Sequence, residues 1–171
     1  MRHPLLAALV AAFLAAPSLA QEKIDNDQAR RIAKLLVEAS GKADKTPIAV
    51  DPDADKPFGM RHQEYGALVL PARKLSADTI SKAGKDYVAI GQVWLRNLAP
   101  QATNKTIEAD KLLPVKVSAD GQELKVALCV LAVRKTDKGE LELAIFGKGK
   151  TPLVTVPLKS AESKQTVPVE F

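Results

Sequence analysis

Three features of the 171-residue sequence predict a mainly β fold, an antiparallel meander or β-sandwich with an N-terminal amphipathic helix and one short additional helix. From Tyr87 onward the apolar residues fall in strand-length runs rather than at helical spacing. Turn chemistry separates those runs, at Ala119-Asp120-Gly121 and at Thr136 to Gly139. Beyond residue 41, helix signals gather in one stretch only, SADTISKAG, residues 76–84.

The chain opens MRHPLLAALVAAFLAAPSLA. Arg2 supplies positive charge, Leu5 to Ala16 is unbroken apolar sequence, and Ser18-Leu19-Ala20 places small residues where a signal peptidase reads. That layout predicts a secretory signal peptide over 1–20, cleaved before Gln21. The apolar run is short of the roughly 20 residues that span a bilayer. Gln21 rather than Cys stands directly after the cleavage point, so no lipid can be attached there, and no later run is long enough to span. The mature chain is thus expected in the periplasm or outside the cell, with no transmembrane segment.

Gln21 to Gly41 predicts the amphipathic helix. Ala29, Ile32, Ala33, Leu36 and Ala39 recur on one side, while Arg30, Arg31, Lys34 and Glu38 take the other. Asp25 or Asn26 suits the cap, Asp27 the positive end of the helix dipole, and Gly41 the stop. The remainder, 42–171, predicts a single β-rich domain. TPIAV (46–50) is strand-like, and ALVL (67–70) is a strand stopped by Pro71. Ser76 caps the short helix and Gly84 ends it. YVAIGQVWLRNL follows, with Val88, Ile90, Trp94 and Leu98 expected on one side and Trp94 anchoring the core. LLPVKV carries Pro114, which marks an edge. ELKVALCVLAVRK is apolar on both faces, so it is expected at the centre of the sheet. LELAIFG, TPLVTVPL and TVPVEF complete the strands, and prolines 152, 157 and 168 fall in or beside the last two.

The net charge is +5, falling to +4 without residues 1–20, which hold one basic residue and no acidic one. That mild balance does not indicate nucleic acid. The single Cys, Cys129, forbids an internal disulfide, and its apolar neighbours predict burial as a small hydrophobe. The fold must therefore rest on packing.

The most suggestive stretch is DPDADKPFGMRHQEYG, residues 51–66. Asp51, Asp53 and Asp55 match the first three ligand positions of a helix–loop–helix calcium loop. Lys56 then stands where that loop needs Gly, and His62 where it needs Glu, so the motif fails. A looser, weak calcium site built from Asp51, Asp53, Asp55, His62 and Glu64 stays open, and no other cofactor is expected. His62-x-Glu64 spells the start of a zinc deaminase motif, but a chain with one Cys cannot supply P-C-x-x-C. No G-x-S-x-G elbow occurs. Paired carboxylates for glycoside cleavage could form in any fold, yet one Trp, two Tyr and few Phe offer little surface for stacking sugars. AIFGKGKT ends like a phosphate loop, but Pro152 follows where a helix should start. Lys148 and Lys150 therefore sit on a basic turn suited to an anionic polymer. Asn104-Lys105-Thr106 is a glycosylation sequon.

The residues lean away from an enzyme and toward an exported, non-catalytic binding or structural module, with an envelope protein or an anionic polymer as partner. Two alternatives remain open. One is a small hydrolase using carboxylates of 51–64, with or without a divalent cation. The other is a subunit of an envelope assembly that docks through the N-terminal helix.

Overall fold

A computed structural model describes residues 22–41, 45–102, 104–119 and 121–159. The signal-peptide expectation and the TVPVEF strand lie outside the described residues, as does Asp120. The chain is mainly antiparallel β, with one principal sheet curled into a half-barrel. The order is β1 (Glu22–Lys23), α1 (Asn26–Ser40), β2 (Phe58–His62), β3 (Tyr65–Pro71), α2 (Ala77–Ser81) and β4 (Val88–Arg96). There follow β5 (Gln101–Ala102), β6 (Lys105–Thr106), a 3-10 turn (Ala109–Lys111), β7 (Leu113–Ala119), β8 (Gln122–Lys135), β9 (Leu141–Phe146) and β10 (Val154–Pro157).

Eight strands form the principal sheet in the order β1-β2-β3-β4-β8-β9-β10, with β7 paired to β8 as well. β5 and β6 make a separate two-stranded hairpin. β8 organises the sheet. Its 14 residues reach about 47 Å at the usual rise, long enough to serve two partners on one edge. β7 pairs with 122–128 and β9 with 130–135, end to end, while β4 takes 127–133 on the other edge. The all-round apolar character of β8 follows, since both its faces are covered. Pro114 lies in a strand that pairs with β8 alone, the edge position where proline is tolerated. The turns on either side of β8 use Gly121 and Gly139 at positive φ, +76° and +79°.

α1 packs into the concave side of the curl. It packs against β2 and β3 on one side and β7 on the other. In a flat sheet β2 and β7 would be about 19 Å apart, four strand spacings. The 15-residue helix is about 22 Å long, enough to reach both across the concave face. Asp25 caps α1 and accepts from the amides of Asp27 (2.9 Å) and Gln28 (3.2 Å). Those amides hold its carboxyl below the ordinary range. Ala29 and Ala33, four apart and fully buried, let the helix lie close on the sheet. Beneath it run Leu68, Trp94, Leu128 and Leu113, cross-strand neighbours in one row. Beyond the helix the concave face is closed by Ile48 and Val50 over Val130, Ala132, Ala144 and Phe146. TPIAV is thus a covering loop rather than a strand: residues 46–50 join no ladder, and Ile48 and Val50 are spent on covering this face.

The convex face buries Val69, Val93, Leu95 and Cys129 under Leu112, with Ile90 and Val133 under the α2 segment. Ser76 caps α2, accepting from the Thr79 amide at 3.1 Å. One expectation within β4 is corrected. The register shifts between Ala89 and Gly91, a β-bulge that swaps the faces. Ile90 therefore packs on the convex side and Trp94 on the concave side, while Leu98 lies past the strand end, exposed. Trp94 is nonetheless a core residue, 2% exposed, and its indole N–H donates to Gln92 Oε1 at 3.1 Å.

Candidate functional site

Where α1 spans the concave sheet, helix and strands do not close completely. They leave a cavity of about 260 Å³, opening toward the β2–β3 turn. Ile32, Leu35 and Leu36 of α1 form one wall, and Leu68, Trp94 and Val117 form the other. An apolar cavity of about 150 Å³ already suffices for benzene, so this one is roomy enough for a small apolar group. Its lining contains no Asp, Glu, His, Cys, Ser or Thr. The polar groups are Gln28, Gln63, Tyr65, Arg61 and Arg96.

The two arginines are placed by strand register. Glu22 pairs with Arg61, Arg61 with Gly66, and Gly66 with Arg96. These four lie in one row across β1, β2, β3 and β4, so their side chains share the concave face. The next row inward is Gly59, Leu68 and Trp94. Arg61 and Arg96 stand two strands apart, about 10 Å between their Cα atoms, with a glycine between them. A Cβ on Gly66 would meet nothing nearer than Met60 O at 3.7 Å and Arg96 Cβ at 4.0 Å, so the gap is open. Arg61 Nε lies 3.6 Å from Glu22 Oε2, both side chains being more than half exposed. Arg96 has no carboxylate partner among the described residues.

The acidic stretch is placed elsewhere. Residues 51–53 run antiparallel beside 71–73, tied by Asp53 N to Pro71 O and Arg73 N to Asp51 O, each 2.8 Å. Arg73 approaches Asp51 at 3.5 Å and Asp53 at 3.8 Å. Asp53 is buried, with Lys56 at 3.8 Å and the Asp55 amide donating to it at 3.1 Å. Asp55 is exposed, and its carbonyl accepts from Arg30 Nε of α1 at 3.1 Å. His62 and Glu64 lie at the far end of β2, about 13 Å of strand from Phe58. His62 faces a shallow depression on the convex side with Tyr65 and Leu98, and the Glu64 carbonyl accepts from Asn97 Nδ2 at 3.0 Å. Asp51 and Asp53 are thus brought together, on an arginine, and His62 and Glu64 are not brought to them. Among the described residues no three His, Cys, Asp or Glu side chains group as metal donors.

Lys148 and Lys150 are exposed in the turn after β9. The Lys148 amide donates to Lys111 O at 3.1 Å, and the residue borders an open groove on the convex side with Lys125 and Asp110. Cys129 is completely buried, and burial pushes its thiol up to about 11, far from a nucleophile at neutral pH. Arg61 and Arg96 escape sequence reasoning because their proximity depends on register between distant segments. Their sequence signal is faint: an Arg ending each of two apolar strands.

No family model matches the chain, and no curated protein or solved structure matches it either.

Proposed function

We propose that the chain is an exported, non-catalytic binding module of the cell envelope or extracellular space, with the cavity under α1 as its binding site. The observation that carries this is an apolar cavity lined by neither a nucleophile nor an acid–base pair. In this reading the apolar stripe of α1 serves twice, closing the core through Ala29, Ala33 and Leu36 and walling the site through Ile32 and Leu35. No helix among the described residues is long and apolar enough to cross a membrane. A hydrolase built on 51–64 finds less support, because Arg73 and Lys56 already face the Asp51 and Asp53 carboxylates.

Trp94 is the sole Trp of the chain and lines the cavity, so its fluorescence reports occupancy directly. Titration of the purified chain with neutral 1-octanol, up to its solubility limit, is expected to give a saturable one-site change in Trp94 emission. An emission spectrum that stays constant throughout refutes the site.

A further inference from the structure

We infer that the ligand of this cavity is a single-chain amphiphile with a monocarboxylate head, its tail against Trp94 and Leu36 and its head between Arg61 and Arg96. The inference rests on the cavity being the binding site and adds the chemistry of what enters it.

The argument is one of charge placed by register. The inner row of the lining, Leu68 and Trp94, is apolar, and the two charged residues, Arg61 and Arg96, both stand in the row outside it. Guanidinium groups match a carboxylate in shape and can each donate two hydrogen bonds to it. Two of them flank a residue without a side chain, so the floor between them is backbone and the space above is free. The row already shows the pairing in miniature, since Glu22 lies against Arg61. Arg96 has no such partner among the described residues. The three charges, Arg61, Arg96 and Glu22, sum to a single positive charge, which one carboxylate neutralises and a dianionic phosphate would overshoot. A cationic head would meet like charge at the mouth. The chain's mild overall positive charge adds no selectivity of its own; the local row does.

The test compares probes built on an eight-carbon chain, on the same protein, by Trp94 fluorescence at neutral pH: octanoate, 1-octanol, octyl phosphate and octyltrimethylammonium. Octanoate is expected to bind at least about tenfold tighter than 1-octanol, the scale of one charge-assisted hydrogen bond. Arg96→Gln is expected to remove about tenfold from octanoate and to leave 1-octanol unchanged. Glu22→Gln is expected to tighten octanoate severalfold by freeing Arg61, again without effect on 1-octanol. Both positions are exposed, so both variants keep the fold. Equal binding of octanoate and 1-octanol would overturn the head assignment and leave the cavity standing. Tighter binding of octyl phosphate or of the cation would overturn the monocarboxylate. Failure of all four probes to move Trp94 would remove the site itself.

Discussion

Gly59 and Gly66 stand one row apart on the concave face, and replacing each by alanine should change stability in opposite directions. At Gly59 an added Cβ falls 2.5 Å from Leu68 Cδ1 and 2.9 Å from Ile24 Cδ1. Both neighbours are buried, at 4% and 8% exposed, and Leu68 is cross-strand to the buried Trp94. Relief therefore requires packed residues to move, an overpacking cost of about 1–3 kcal/mol. At Gly66 the same atom meets nothing within 3.7 Å. Only the intrinsic gain of alanine over glycine in a strand remains, about 0.5–1 kcal/mol. Urea unfolding followed by Trp94 fluorescence reads both variants with one native probe. Gly59→Ala should lower the midpoint and Gly66→Ala should raise it, with unchanged slopes. In melting temperature the shifts should be about 2–4 °C per kcal/mol for a chain of this size. If Gly66→Ala destabilised as much as Gly59→Ala, the row between the arginines would be packed rather than open. The cavity mouth would then be misplaced.

Three further outcomes follow from the packing and the charges. Cys129 should resist alkylation in the native chain at neutral pH and react only on global unfolding, so its labelling rate in dilute urea should track the unfolded fraction; rapid native labelling would contradict its burial. Tyr87 donates to Glu142 Oε1 at 3.0 Å, and burial together with the neighbouring carboxylate raises its phenol above the ordinary value. A raised folded-state value gives stability that is complete below about pH 10 and lost as pH rises through the folded value. Tyr87→Phe should therefore flatten the alkaline fall in melting temperature, while Arg134, at 3.0 Å, keeps Glu142 paired; an unaltered alkaline limb would refute it. Asp53→Ala should cost about 1–3 kcal/mol, since it strips the Asp55 amide of its acceptor and Arg73 and Lys56 of a shared carboxylate, whereas Asp51→Ala, exposed, should cost far less. Equal costs, read as chemical denaturation midpoints, would contradict the difference in burial.

The antiparallel β character was legible because it is written locally. The apolar runs, the Gly121 and Gly139 turns and the Ser76 cap each depend on a few adjacent residues. The central place of β8 was legible from its two apolar faces, and the edge position of β7 from Pro114. What escaped is non-local. The bulge at Ala89 and Gly91 inverts the face of every earlier residue in β4, and no spacing rule registers one extra residue. TPIAV has strand-like composition, but its Ile48 and Val50 are used as a cover over Val130, Ala144 and Phe146 rather than in a ladder. The acidic triplet spells a cation loop, yet Arg73, about twenty residues later, is the charge that meets it. The Arg61–Gly66–Arg96 row joins three segments spread over 36 positions, and only the β2–β3 and β3–β4 registers bring it together.

Contacts between 1-octanol and the protein, read as intermolecular nuclear Overhauser effects, test most directly whether helix and sheet enclose a binding space. The indole N–H of Trp94 gives one assignable signal, since the chain has a single Trp. Cross-peaks from the probe's methylene groups to Trp94 and to the Leu36 methyls are the expected result. Cross-peaks confined to Leu98 and Leu112, in the groove on the opposite face, would contradict it.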